Sequence, residues 1–171
     1  MIGLRQAICA SIFVAALATT AAYAGPPKDS LLDHMTGHWV LAGTIDGKKT
    51  VHDIDAQWTL QGTYLRLTEM AREKDASGKP KYEAEVLIAY DAAKSHYVCF
   101  WYDTEGVAPF DAQGGVAVRR GDTLPFLFRT RQGNFHTTFT YQSKTDTWTW
   151  AMDGEVKGKL VPFARVVLKK R

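Results

Sequence analysis

The stretch 38–60, "HWVLAGTIDGKKTVHDIDAQWTL", decides the fold because it contains two strand-like runs joined by a tight turn. Asp46-Gly47 at its centre is a dipeptide typical of a two-residue β-hairpin loop. The second run alternates with period two, which places one set of side chains on a common face: His52, Ile54, Ala56, Trp58 and Leu60. The stretch therefore predicts an antiparallel hairpin with one buried face.

The same alternation continues to the end of the chain, interrupted by short clusters of turn-forming residues. The predicted turns lie at 61–62, 75–80, 91–94, 121–122, 132–134, 143–146 and 153–154, and a longer loop holds Gly106 and Pro109. About ten strands result, and a sheet of that size tends to close because closure removes its exposed edges. We expect an all-β, about ten-stranded antiparallel up-and-down barrel, with a two-sheet sandwich as the alternative.

One helix signal precedes the first strand, over Ser30 to Thr36. Ser30 is the expected N-cap, and Asp33 three residues later completes a capping-box pattern. Gly37 suits the left-handed position that often follows a helix. The sequence therefore predicts a short helix packed at the start of the barrel.

Residues 1–24 have the features of a secretory signal peptide. Arg5 supplies a positive charge, 7–18 form an apolar core, and Ala22-Tyr23-Ala24 fits a cleavage site before Gly25. The alternative is a membrane anchor that stays in place. Cleavage would leave a short leader, 25–29, and a single barrel domain, 30–171, without a stable membrane anchor. This predicts a bacterial protein that is periplasmic or secreted.

Charge and cysteine content exclude several classes of partner and site. The formal net charge is +3, and loss of residues 1–24 with Arg5 would lower it by one. Such a mild balance, without long runs of like charge, gives no case for a nucleic-acid partner or an anionic membrane. Cys9 would leave with the signal peptide, so that Cys99 would have no partner for an internal disulfide and is expected to be buried. The oligomeric state is left open.

The predicted interior is large and mostly aromatic, because alternation turns the aromatic faces of several strands inward. A ten-stranded barrel can hold a small ligand among such side chains, and the alternative is a fully packed core. Phe128, Phe135 and Met152 share these inward faces. The candidate wall residues of a ligand cavity are Trp58, Tyr82, Trp101, Phe126, Phe139, Tyr141 and Trp150.

Two residues are candidates for a polar group that would orient the ligand, His52 and Arg66. His52 shares the predicted inward face of Ile54. An inward Arg66 could bind a carboxylate through two hydrogen bonds. Alternation favours the other arrangement, in which Leu65 and Leu67 point inward and Arg66 lies in water.

Three stretches together resemble a bacterial lipocalin-like family of unknown function in the calycin superfamily. They are "LLDHMTGHWVLAGTI" (31–45) with Gly37-x-Trp39, "LQGTYLRL" (60–67) and "YDAAKSHYVCFWYDTEG" (90–106). The resemblance implies a lipocalin-like barrel with Trp39 across its closed end. It also implies a basic residue packed over Trp39, for which Arg165 is the candidate.

Metal, haem and catalytic sites are weakly supported by the sequence. His96 and Cys99 lie on opposite faces of one strand and cannot bind one metal ion. Asp103, Glu105 and Asp111 could meet a hard cation, although turn capping explains them more simply. His136 is expected to face outward, which leaves His52 or Met152 as haem ligands. No cofactor or metal is therefore predicted, and haem stays an alternative.

The function expected from the sequence is the binding of a small hydrophobic or amphipathic ligand in the barrel lumen by an exported lipocalin-like protein. No Gly-x-Ser-x-Gly or comparable catalytic signature is present, so a non-enzyme is favoured. The alternatives are a lumen-based enzyme with isomerase-type chemistry, a haem-binding barrel, and a structural or interaction protein with a filled core.

Overall fold

A computed structural model describes residues 29–106, 114–130 and 133–171. The predicted signal peptide, the leader up to residue 28 and Asp111 lie outside the described residues. A short helix, α1, spans Ser30–Asp33, and a single 3-10 turn spans Leu60–Gly62. The strands are β1 Gly37–Ile45, β2 Lys48–Thr59, β3 Tyr64–Ala71, β4 Glu83–Asp91, β5 His96–Asp103, β6 Gly115–Ala117, β7 Thr123–Thr130, β8 Gly133–Gln142, β9 Thr147–Val156 and β10 Lys159–Lys170.

The ten strands form a closed antiparallel barrel in which each strand pairs with its neighbours in the chain. The first and last strands close it, with Trp39 opposite Lys170 at one end of the seam and Ile45 opposite Ala164 at the other. The predicted ten-stranded up-and-down barrel with a short N-terminal helix is thereby confirmed. None of the helical segments that the structure describes could span a lipid bilayer.

The turns explain where the strands end. Asp46 and Gly47 both have positive φ, 47° and 71°, as a tight hairpin requires, and the predicted turn is confirmed. The turn predicted at Asp153-Gly154 is wrong, because β9 continues to Val156. The chain turns instead at Lys157-Gly158, where φ is 52° and 73°. Asp153 stays in the strand, and its carboxylate accepts a hydrogen bond from a residue of β10.

Helix α1 closes one end of the barrel, which we call the helix end. The predicted cap, Ser30, is wrong: the carboxylate of Asp29 accepts the N–H groups of Leu31 and Leu32 at 2.9 and 3.1 Å. The helix begins at Ser30, so Ser30 is its first helical residue and the preceding residue, Asp29, occupies the N-cap position. Leu31, Leu32 and Met35 are fully buried and fill this end.

Trp39 lies across the helix end beneath these residues. Its indole N–H donates to the carbonyl of Met35 at 2.7 Å, and no part of the residue is exposed. The ammonium group of Lys170 lies 5.2 Å from the centre of the ring. The prediction that Arg165 packs over Trp39 is wrong, because Arg165 lies opposite Thr44 and forms an ion pair with Asp153. Lys170 takes the expected place because the seam puts it directly opposite Trp39.

The predicted inward faces are confirmed along most strands. Ile54 and Ala56 are buried on β2, but Leu60 is 64% exposed because the chain leaves the strand at Thr59. Trp148 and Trp150 on β9 are buried, as are Leu124 and other apolar residues of β3, β4, β5, β7 and β8. Burying a large aromatic or aliphatic side chain stabilises the fold by roughly 1.5–3 kcal/mol each. This core occupies the half of the barrel nearer to the helix end.

Candidate functional site

A cavity of about 200 Å³, partly open to solvent, lies in the other half of the interior, near the end opposite α1, which we call the far end. It lies where β5 and β7 end, where β8 begins, and beside the last residue before β4. Of the nine lining residues that the structure describes, five are aromatic, and this described part of the wall is predominantly apolar. The lining residues are Tyr82, Trp101, Asp103, Phe128, Thr130, Phe135, Thr137, Met152 and Phe163.

The floor of the cavity is continuous with the packed core. Trp101 meets Trp150 edge to face, with 6.1 Å between the ring centres. Phe139 packs against Trp150, with 4.7 Å between the ring centres, and against Phe126, with 5.6 Å between them. The barrel is therefore packed near the helix end and hollow near the far end. The two alternatives predicted for the interior, a cavity and a packed core, each describe one half of it.

The predicted wall residues divide into three groups in the structure. Tyr82 and Trp101 line the cavity, while Phe126, Phe139 and Trp150 belong to the core beneath it. Trp58 and Tyr141 lie at the helix end and are not among the described lining residues of the cavity. The indole of Trp58 donates to Asp33 at 2.6 Å, and Tyr141 stacks on His34 and donates to Asp146.

Several cavity residues were not singled out from the sequence. Strand alternation predicts that four of them point inward: Phe128, Phe135, Thr137 and Met152. Nothing in the sequence, however, shows which inward side chains border an empty space. Phe163 breaks the alternation because the register between β9 and β10 shifts between Pro162 and Ala164. This bulge lets Phe163 pack against Phe135, with 5.5 Å between the ring centres.

A chain of hydrogen bonds supplies the polar side of the cavity. The indole N–H of Trp101 donates to the hydroxyl of Tyr82 at 3.0 Å, and that hydroxyl donates to the carboxylate of Asp103 at 3.3 Å. Burial raises the pKa of Tyr82 above its ordinary value, and the nearby Glu69 adds to the shift. The phenol therefore stays protonated, and it acts as a neutral donor beside a carboxylate.

His52 lies behind Tyr82 in a buried polar cluster. Its Nδ1 lies 2.5 Å from a carboxylate oxygen of Glu69, and its Nε2 lies 2.7 Å from the hydroxyl of Thr50. His52 and Glu69 are only 4% and 3% exposed, and the ring of Tyr82 stacks on His52 at 5.6 Å. Both ring nitrogens are occupied, and the ring does not line the cavity. His52 therefore supports Tyr82 and does not reach the cavity itself.

Arg66 points away from the interior. Leu65 and Leu67 on either side of it are completely buried, and Arg66 lies on the outer face, 3.9 Å from Glu85. This is the arrangement that alternation favoured. The other arrangement, in which Arg66 orients a ligand inside the barrel, is wrong.

Where the structure describes them, the remaining candidate groups show no arrangement for metal binding or nucleophilic chemistry. Within 29–106, 114–130 and 133–171, no three His, Cys, Asp or Glu side chains converge on a point that could hold a metal ion. Asp103 caps the following turn by accepting the N–H of Glu105 at 3.0 Å. His136 faces outward, 3.5 Å from Glu155. Cys99 is fully buried, and burial raises the pKa of its thiol, which therefore stays protonated.

Comparison with known proteins adds no independent indication of function. The chain matches none of the protein-family models, and a search of the curated proteins finds no match. Any inference about function therefore rests on the chemistry of the cavity and on the sequence itself.

Proposed function

We propose that this protein binds a small hydrophobic or amphipathic molecule in the far-end cavity. The observation that carries the proposal is a space of about 200 Å³ whose wall is mostly aromatic. An apolar cavity of about 150 Å³ is large enough for benzene. The cavity lies below the range of about 300–1,000 Å³ for drug-sized ligands. A compound with a single ring, or a short aliphatic chain, matches this space.

The aromatic wall would also favour binding energetically. A ligand that covered these side chains would remove apolar surface from contact with water, which contributes roughly 25 cal/mol for each Å² buried. A barrel with a purely structural role would gain stability if larger side chains replaced Thr137 or Met152, both of which line the cavity.

We also propose that the protein is an exported member of the lipocalin-like family that its sequence resembles. Gly37-x-Trp39 at the start of a ten-stranded barrel supports this assignment, as do the signal-peptide features of 1–24. N-terminal sequencing of the protein from a periplasmic extract should begin at Gly25. A chain that still begins at Met1 in the cytoplasmic fraction would contradict the proposed export.

Binding can be tested with a matched pair of substitutions on β8. Thr137 is buried and lines the cavity, whereas Thr138 is its neighbour on the other face of the strand. Thr137→Phe would fill the cavity, and Thr138→Phe would add the same ring outside the barrel. Calorimetric titration with single-ring apolar compounds should give saturable binding to the wild type with a negative heat-capacity change.

The two variants should then differ. We expect the dissociation constant to rise at least tenfold in Thr137→Phe and to stay within about twofold in Thr138→Phe. Native mass spectrometry of protein isolated from its own cells should in addition show a bound small molecule. Absence of saturable binding across the compounds, or equal binding by both variants, would contradict the proposed site.

A further inference from the structure

The charge of the far-end cavity narrows the class of ligand. Among the lining residues that the structure describes, Asp103 is the one carboxylate and no side chain is basic. We propose that the cavity binds a small amphipathic amine, with its ammonium group at Asp103 and its apolar part among the aromatic rings. This inference rests on the proposed function, since it names the class of molecule that the same cavity takes.

Asp103 has acceptor capacity to spare. Its two oxygens accept one hydrogen bond each, from the hydroxyl of Tyr82 at 3.3 Å and from the N–H of Glu105 at 3.0 Å. A carboxylate offers about four acceptor positions, so about two remain for a ligand. Among the described residues, no Lys, Arg or His forms an ion pair with Asp103. The carboxylate is thus partly withdrawn from water without a counter-charge.

Tyr82 cannot replace the missing counter-charge, but it holds the carboxylate in place. Its hydroxyl is fixed by two hydrogen bonds, one from Trp101 and one to Asp103. Its ring is fixed by stacking on His52, which is itself held by Glu69. Burial raises the pKa of Tyr82, so the phenol stays neutral. The negative charge at the cavity therefore belongs to Asp103.

The aromatic wall favours the same class of ligand. The faces of Trp, Tyr and Phe rings attract cations, and they also accept the apolar body of an amine. A neutral ligand would leave the carboxylate with fewer donors in a partly desolvated place, which is unfavourable. An anionic ligand would be repelled by it. Charge, hydrogen-bonding capacity and ring chemistry therefore all favour a cation.

Three compounds with the same ring separate charge from shape: benzylamine, benzyl alcohol and benzoate. Calorimetric titration at neutral pH should show that benzylamine binds at least tenfold more tightly than benzyl alcohol, with benzoate weakest. Asp103→Asn keeps the size of the side chain and removes its charge, so it should bring the amine and the alcohol within about twofold of each other. Asp55→Asn is the control, because Asp55 lies on the outer face and its side chain is 51% exposed.

The outcomes distinguish this inference from the proposed function. Benzyl alcohol binding as tightly as benzylamine to the wild type would overturn the amine proposal and leave ligand binding intact. Failure of all three compounds to bind would overturn both. Retention of the full amine preference in Asp103→Asn, with its thermal unfolding unchanged, would also overturn the assignment to Asp103. The comparison of compounds on the wild type does not depend on the folding of any variant.

Discussion

Replacing His52 alone should destabilise the barrel far more than replacing both members of its buried pair. Glu69 is only 3% exposed, and one of its carboxylate oxygens already has no hydrogen-bond partner among the described residues. His52 supplies the contact to the other oxygen at 2.5 Å. In His52→Leu, the buried carboxylate would therefore lose the histidine and gain no substitute.

The expected magnitude follows from the cost of leaving a buried ionisable group unpaired. Removing one partner of a buried pair costs about 3–5 kcal/mol, whereas replacing both by apolar residues is often neutral or stabilising. A domain is typically stable by about 5–15 kcal/mol, so the single change removes a large share of that free energy. His52→Leu/Glu69→Leu should restore most of it.

Urea unfolding followed by tryptophan fluorescence measures the effect. With a slope of about 2 kcal/mol/M, a loss of 4 kcal/mol lowers the unfolding midpoint by about 2 M. Arg72→Leu is the control, since it breaks the exposed pair with Asp53 and should cost less than about 1 kcal/mol. A single variant no less stable than this control, or a double variant less stable than the single one, would refute the reasoning.

Three further predictions concern the scaffold. Gly43→Ala should lower the free energy of unfolding, measured with heat or urea, by about 3 kcal/mol, because the added Cβ would collide with a backbone oxygen of β10 at the barrel seam. Gly154→Ala is the control: open space surrounds this position, so its free energy of unfolding should stay within about 0.5 kcal/mol of the wild-type value. Asp29→Ala should lower the free energy of unfolding by about 2 kcal/mol, because it removes the helix cap and also the hydrogen bond that Tyr97 donates to the same carboxylate; Ser30→Ala should change it very little. Cys99 should resist iodoacetamide at mildly alkaline pH in the native protein and react in urea, as mapped by mass spectrometry, because burial raises its pKa; equally fast labelling in both states would contradict this.

The barrel was predictable from the sequence because alternation and turn chemistry are local signals. Asp46-Gly47 marks a hairpin whether or not the rest of the chain is known. The same logic failed at Asp153-Gly154, which is an equally good turn dipeptide. There β9 continues to Val156 and the chain turns at Lys157-Gly158, while Asp153 forms an ion pair with Arg165 on the neighbouring strand. The outcome depends on a register between strands that no local pattern reports.

The candidate site was less predictable, because alternation gives the face of a side chain and not its depth. Phe139 and Trp101 both point inward, yet one is core and the other lines a cavity. Asp103 caps a turn, as the sequence predicts, and its spacing from Trp101 also places it on the inward face. Phe163 could not be found, because a bulge between β9 and β10 reverses the expected direction of its side chain.

The most direct test of ligand binding at the far end follows the indole N–H signals of the five tryptophans by NMR during titration. Trp101 lines the cavity, while Trp39 and Trp58 lie at the helix end. With benzylamine, or with benzyl alcohol, the account predicts a saturable shift of the Trp101 signal and little change at Trp39 and Trp58. Shifts confined to Trp39 and Trp58, or a Trp101 signal unmoved by either compound, would contradict it.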